Sequence, residues 1–434
     1  MAMSPPLPTA SDELIAGLNE ARRRTLALVE DLDDDQLMGE QLAIVNPLLW
    51  EIGHVAWFQE RWTRRHLRGL PSLAEDADAL YDSMAVAHDT RWDLPLYRRK
   101  ETLAYMRRVL DDVAHHLQGR TPTEDEIYFH RLALFHEDMH AEAFAYTRQT
   151  HAYPAPGPEV YGGQAFDEPA TSEGEIGGDV EISGGSYRLG ALPDAAFAFD
   201  NEKWAHEVEV APFAIARTAV TQGQFRAFVE DDGYTRSDLW SSEGWRWCQN
   251  EPIRQPVYWQ RDRHDRWQRR VYDRWQPLAD RLPMVHVNAF EAEAYCRWAR
   301  RRLPTEAEWE LAASTVAKTA YPWGNAPEAE RANLDGRLGG PIAVDRLAAG
   351  DTPGGVRQML GNVWEWTATD FGPFPGFVAD PYKDYSEPWF GDHRVLRGGC
   401  WATRFHMLRN TWRNFYKPDR RDVWAGFRTC ALSD

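Results

Sequence analysis

Cysteine is scarce: the 434 residues contain four, Cys248, Cys296, Cys400 and Cys430, widely scattered. None forms a CxxC pair, which excludes a zinc ribbon or a dithiol redox motif and makes a reduced, cytoplasmic protein the simplest expectation. Positive charge is also short, with 49 Lys and Arg against 67 Asp and Glu and a formal net charge of −18. That sign argues against nucleic acid and anionic membranes as partners. There is no apolar run of about 18 residues, so no membrane span is expected. The opening MAMSPPLPTA lacks a basic start and an apolar stretch, so no signal peptide is expected. No internal repeat or low-complexity tract stands out.

What is abundant is aromatic. Twenty Trp, 16 Tyr and 18 Phe accompany a hydrophobic fraction of 43%. Such rings fill cores and also line pockets for cationic groups. The length suits two or three domains. The first 150 or so residues read as helical. Ser11 is placed to cap a helix with the stripe Leu14, Leu18, Ala21, Thr25, Leu28 and Leu32. Asn46 and Pro47 open a second helix, NPLLWEIGHVAWFQERWTRRHL, a third covers about 98–118, and a fourth follows TPTEDE to about Thr150. Four amphipathic helices of this length predict a bundle over 1–152. Residues 153–177, rich in Pro, Gly and Glu, read as a linker. Beyond it VEISGGSYRLGA reads as a hairpin, HEVEVAPFAIARTAVT as strands and NAFEAEAYCRWARRR as one clear helix. Residues 178–434 are therefore expected to form an irregular α+β domain.

Residues 136–140, HEDMH, spell the H-E-x-x-H of zinc proteases. Residues four apart on a helix differ by about 40° in direction, so His136 and His140 can grip one ion from one face. Phe129, Leu132 and Phe144 share that face, which turns the pair into the bundle. A protease needs a third ligand downstream, but HxxGxxH is absent and the next glutamates, Glu159 and Glu168, fall in the linker. Glu142, about 200° round the helix from His140, is poorly placed. His54 suits better: Trp50, Trp57 and Phe58 surround it on its own helix, so it faces the same core. Three imidazoles from two helices can hold one side of an ion and leave the other open, without naming the metal.

Two groups of motifs carry a family resemblance. GHVAWFQERW, HDTRWDLPL and HEDMH resemble the DinB-like bundle of the ergothioneine-type sulfoxide synthases. RLPTEAEWE, GNVWEWT, VLRGGCW and AGFR resemble the formylglycine-generating-enzyme-like domain, a C-type-lectin-related fold. Together they span about residues 12–432. The resemblance implies a non-haem iron(II) enzyme with His54, His136 and His140 as metal ligands, hercynine as substrate and dioxygen as co-substrate. It implies a hercynine pocket in the C-terminal domain against the bundle, and a C–S or C–Se bond formed at imidazole C2.

In the family the stretch matching Asn414, Phe415 and Tyr416, read here as a loop, lies against hercynine. An amide suits its carboxylate or ring, and aromatic faces suit its trimethylammonium group. Some members have Gln where this chain has Met139. The family's catalytic tyrosine has no clear match: Phe377 stands near its expected place, with Tyr382 and Tyr385 as nearby candidates. Arg91 is a candidate for a donor carboxylate, with Ser83 and Thr90 as neutral neighbours, while Arg98, Arg99 and Lys100 are expected on a solvated helix face. With one plausible cation, the reading leans to a selenosugar donor, as in the selenoneine synthases, with cysteine or γ-glutamylcysteine as alternatives. Formylglycine-generating chemistry uses a closely spaced cysteine pair to hold copper, and Cys400 and Cys430 are separate in sequence. The Trp and Gly of GNVWEWT and RGGCW are expected to define the fold. Three other classes stay open: a zinc hydrolase with Glu137 as base, a thiol transferase on the same bundle, and a non-catalytic lectin-like module.

Overall fold

A computed structural model describes residues 7–162, 177–250 and 253–432. Residues 163–176, which hold Glu168 and most of the expected linker, lie outside the described residues. The chain divides into two compact units, one ending at Val160 and the other beginning at Tyr161. No helix among the described residues is long and apolar enough to cross a membrane.

The first unit contains α1 (Ser11–Ala27), α2 (Asp34–Met38), α3 (Leu48–Glu60), α4 (Ala77–Tyr81), α5 (Arg99–Leu117) and α6 (Glu124–Thr150). The four long helices close a ring, in which α1 packs on α5 and α6, and α3 packs on the same two. The α1 stripe is buried throughout, from Leu14 to Leu28 and on to Leu32 past the helix end. Each such leucine contributes roughly 1.5–3 kcal/mol of transfer free energy. Ser11 is not a cap: it is the first helical residue, and its hydroxyl donates to Arg120 O at 2.7 Å. Glu13 does the terminal work instead, its carboxylate accepting the Ala10 N–H at 3.1 Å. Asn46 is not a cap either, because Pro47 occupies that place and the Asn46 amide turns to Glu51 at 2.8 Å. The α6 helix starts inside TPTEDE, where Thr123 and Glu126 each accept the other's backbone N–H. The α3 helix departs from amphipathicity: all its residues but Leu49 are buried. It is the inner wall of the bundle, which is why a histidine on it can serve a site.

The second unit has four sheets among the described residues. In chain order its elements are β1 (Asp179–Ile182), β2 (Gly185–Leu189), β3 (His206–Val210), β4 (Phe213–Ala216), α7 (Gln222–Glu230), α8 (Ser242–Asn250), β5 (Trp259–Arg261), β6 (Trp267–Val271) and β7 (Arg274–Pro277). There follow α9 (Ala289–Trp298), β8 (Arg301–Arg302), α10 (Glu306–Ser314), β9 (Trp364–Asp370), β10 (Arg394–Arg397), β11 (Asn414–Tyr416), β12 (Ala425–Gly426) and β13 (Cys430–Ala431). The sheet orders are β1-β4-β13-β8, β11-β10-β9-β12, β2-β3 and β5-β6-β7. The expected hairpin over VEISGGSYRLGA does not form. β1 pairs with β4, Val180 opposite Ile215, while β2 pairs with β3, Tyr187 opposite Val208. Gly184 and Gly185 take φ of 68° and 111°, and a Cβ on Gly184 would lie 2.3 Å from Val210 O. The pair is thus a step between sheets rather than a turn within one. The single helix expected here is joined by α7, α8 and α10.

The motifs that carried the resemblance form the core of this unit. Thr305 caps α10, and the buried Trp309 on that helix donates its indole N–H to Glu365 of GNVWEWT at 2.8 Å. Glu365 also takes Arg428 of AGFR bidentately at 2.6 and 2.7 Å. Arg397 of VLRGGCW reaches Glu306 at 2.7 Å and Glu310 at 2.5 Å, and Arg413 pairs with Glu306 at 2.7 Å. Buried charges survive only when paired and hydrogen-bonded, so these arginines and glutamates must be kept together. All four cysteines are buried and free, and burial pushes the Cys430 thiol up to about 12.

Candidate metal centre

His54 projects from α3, and His136 and His140 project from α6 one turn apart. Their rings meet with centroids 4.6 Å apart for His136–His140, 4.9 Å for His54–His140 and 5.1 Å for His54–His136. One nitrogen from each lies within 4.8 Å of the other two, the one such group of three or more potential ligands among the described residues. His54 and His136 are buried and His140 is half-buried.

The surroundings decide which nitrogens can bind. The Nδ1–H of His54 donates to the Tyr81 carbonyl at 2.8 Å, and that of His140 faces the Glu51 carboxylate at 3.3 Å. A carbonyl only accepts, so the His54 proton sits on Nδ1 and leaves an Nε2 lone pair; the carboxylate does the same for His140. Burial is the main cause that pushes His54 and His136 well below the ordinary histidine value, with the neighbouring imidazoles adding to it. Ring orientation is fixed by stacking, His54 against Trp50 at 4.7 Å and His136 flat on Phe58 at 3.5 Å. Imidazole nitrogens held in this way fit a divalent first-row metal and do not suit calcium or magnesium.

Glu51 and Tyr81 were not legible as site residues. Glu51 stands three residues before His54, an acid on a buried face, and that was the available signal. Tyr81 gave none, because it acts through its backbone. Its close approach needs Gly53, where a Cβ would lie 2.2 Å from the Tyr81 ring.

The glutamate of HEDMH is not free to act as a base. Glu137 is buried and grips Arg22 through both oxygens, at 2.7 and 3.1 Å. Arg22 is held further by Met106 O at 2.6 Å and Gln59 Oε1 at 2.9 Å. The zinc-hydrolase alternative loses its base to a structural ion pair.

The other expected residues fall as follows. Met139 is half-buried on α6 beside His140. Arg91 is buried and committed: its guanidinium donates to Asn46 Oδ1 at 2.6 Å and to the Ser83 and Val86 carbonyls, and it lies 4.0 Å over the Trp50 ring. The Thr90 hydroxyl is turned to Ala87 O at 2.8 Å. Arg98 and Lys100 are exposed, whereas Arg99 is half-buried and donates to the Val29, Glu30 and Leu32 carbonyls just past α1. Asn414, Phe415 and Tyr416 form a strand, not a loop, paired to β10. Asn414 Oδ1 accepts the Phe415 N–H at 2.8 Å, Phe415 stacks on Phe371 at 4.0 Å, and Arg420 sits 5.4 Å over the Tyr416 ring. Tyr385 stacks on Phe199 at 4.4 Å and meets Phe415 edge-on at 5.8 Å, whereas Tyr382 touches Tyr385 at 6.0 Å. Burial, reinforced by Glu202 and Asp200, raises the Tyr385 hydroxyl far above its ordinary value.

Comparison with known proteins matches residues 18–146 to the DinB superfamily and 165–432 to the sulfatase-modifying factor enzyme 1-like domain. The hercynine oxygenase of Mycolicibacterium thermoresistibile is 37% identical over 96% of this chain and 94% of its own. That of Mycolicibacterium smegmatis is 36% identical over 97% and 98%. The chain belongs to the ergothioneine-type sulfoxide synthase family. Likeness to the formylglycine-generating enzyme of Thermomonospora curvata, 32% identical, covers 97% of that protein but 61% of this one. What sets the sulfoxide synthase family apart is therefore the helical unit, which is where the three histidines lie.

Proposed function

We propose that this protein is an iron(II)- and dioxygen-dependent synthase that forms a C–Se or C–S bond at the imidazole C2 of hercynine. The observation that carries the reading is the convergence of three imidazoles, two with their Nδ1 protons tied down, in a chain whose full-length relatives are hercynine oxygenases. His54, His136 and His140 would hold the metal, and iron(II) held there would supply the activation of dioxygen that the coupling needs. The residues around it set its surroundings: Trp50 and Phe58 exclude water from the ring faces, and Glu51 and the Tyr81 carbonyl fix the ligand tautomers.

For hercynine, the Asn414 amide N–H group is the donor to its carboxylate, and Phe415 and Tyr416 provide faces for its trimethylammonium group. Phe371 stacks on Phe415 and Arg420 lies over Tyr416. Tyr385 is favoured over Tyr382 as proton donor because it touches Phe415. Met139 lines the ligand helix without a hydrogen bond to offer the substrate.

For the donor, the commitment of Arg91 and Arg99 to internal acceptors supports a neutral, hydroxyl-rich selenosugar, or cysteine, over the dianionic γ-glutamylcysteine. The test is anaerobic iron reconstitution followed by hercynine, dioxygen and the three donors in competition at equal concentration, with products read by mass spectrometry. A clear preference for γ-glutamylcysteine overturns the donor assignment. Absence of any C2-substituted hercynine with all three overturns the reaction.

A further inference from the structure

A small cavity opens in the C-terminal unit between β5, β6 and the segments around His286 and Trp424. It shares no residue with the histidine cluster or with β11. Its wall includes Arg269, Arg270, His286, Tyr258, Trp259 and Trp424, and no lining residue is acidic. In a chain carrying a net −18, that is an unusual stretch of wall.

Three buried polar atoms here, Arg269 Nε, His286 Nε2 and Trp424 Nε1, have no partner among the described residues. Arg269 is 7% exposed; its Nε has no partner, and its one hydrogen bond is a long 3.4 Å contact from a terminal nitrogen to Gln276 Oε1. Among the described residues no carboxylate is near enough to influence it, and burial pulls it down to about 10. His286 is 4% exposed and holds a left-handed backbone at φ 60°, a conformation that is costly for histidine. Its Nδ1–H donates to Asp422 O at 3.1 Å, so its unpartnered Nε2 carries a lone pair. Burial pushes His286 down to about 3, which keeps that ring neutral. The Trp424 indole N–H is also unpartnered, and its ring stands 4.4 Å from that of His286. A buried cation without an anion and buried polar atoms without partners are expensive to fold, so such groups gathered round one cavity mark a place for a ligand.

We propose that this cavity binds a small oxyanion that retains one O–H, of the hydrogenphosphate or hydrogencarbonate class. Its charged oxygens take Arg269 and the Trp424 N–H, and its hydroxyl donates to His286 Nε2. A fully deprotonated oxyanion satisfies the first two groups and leaves the third facing a like electron pair. Water fills the hydrogen bonds without supplying the missing charge.

Calorimetric titration of the full chain with inorganic phosphate, hydrogencarbonate and sulfate, near pH 7 in a buffer free of other oxyanions, tests this. Saturable binding of phosphate or hydrogencarbonate is expected, the tighter of the two naming the natural ligand. Sulfate, which has no proton to give, should bind at least about tenfold more weakly. Arg269→Met should abolish binding while melting no lower than the parent in the anion-free buffer, because it removes an uncompensated buried charge. Trp424→Phe should weaken binding about tenfold with the ring retained, and it decides the matter if Arg269→Met does not fold. Absence of saturable binding by either protonated anion overturns the proposal. So does sulfate binding as tight as phosphate, or binding that survives both substitutions.

Discussion

Replacing Glu137 by alanine separates the two meanings of HEDMH. If Glu137 were a catalytic base, the change would stop chemistry and leave the fold alone. In the structure it is the counter-ion of Arg22, with both side chains nearly inaccessible at 4% and 2% exposure. After the change Arg22 keeps the Met106 carbonyl and Gln59 but loses the anion it is paired with. Breaking a buried pair by removing one partner costs about 3–5 kcal/mol, roughly a 10²- to 10⁴-fold shift in the opening equilibrium. The two units need not unfold together, so a global melting curve is the wrong instrument. Hydrogen exchange resolved to α1 and α6 reads the cost where it falls. Protection there should drop by that factor, while iron content below the melting range stays near the parent's. The double change Arg22→Met with Glu137→Leu should recover most of the loss, because it removes both charges. Unchanged protection with turnover abolished and iron retained would refute this reasoning and return Glu137 to the chemistry.

Three further outcomes are expected. His54→Ala should lose most bound iron in a chain that still folds, as should His136→Ala and His140→Ala; full metal retention in any one removes that residue from the site. Glu51→Ala should weaken iron(II) affinity about 10- to 100-fold, measured by competition with a chromophoric chelator, with Glu51→Gln between it and the parent, since the carboxylate holds the His140 tautomer. An unshifted affinity in Glu51→Ala would show that the 3.3 Å contact does not orient the ligand. Asn414→Ala should weaken hercynine binding about 10- to 150-fold, the worth of one charge-assisted hydrogen bond, and donor binding far less; an unchanged hercynine dissociation constant excludes Asn414 from the pocket.

Much of the bundle, and all three clustered histidines, could be read from the chain. Helical periodicity is local: residues three and four apart share a face whatever the rest of the protein does, so the α1 stripe and the inward turn of His54, His136 and His140 follow from spacing alone. The helix ends were less legible. Ser11 and Asn46 have the right chemistry for caps, but each found a better partner in Arg120 and Glu51, and a cap is chosen by competition among neighbours that spacing does not show.

Tertiary structure decided the rest. Strand pairing is a choice among distant segments, so two alternating runs joined by Gly-Gly looked like a hairpin until β4 and β3 each claimed one. Whether a charged side chain is available also depends on what folds over it: Glu137 was spent on Arg22, Arg91 on Asn46 and Trp50, and Arg99 on the carbonyls past α1. The sequence by itself determined that His136 and His140 would share a helix face and that His54 would turn inward, because helical geometry carries that information over a few residues; the packing of α3 on α6 brought the three together. Only the folded chain determined which nitrogens of His54 and His140 carry protons, through a carbonyl 27 residues and a carboxylate 89 residues away, because hydrogen bonds are made in space and not along the chain.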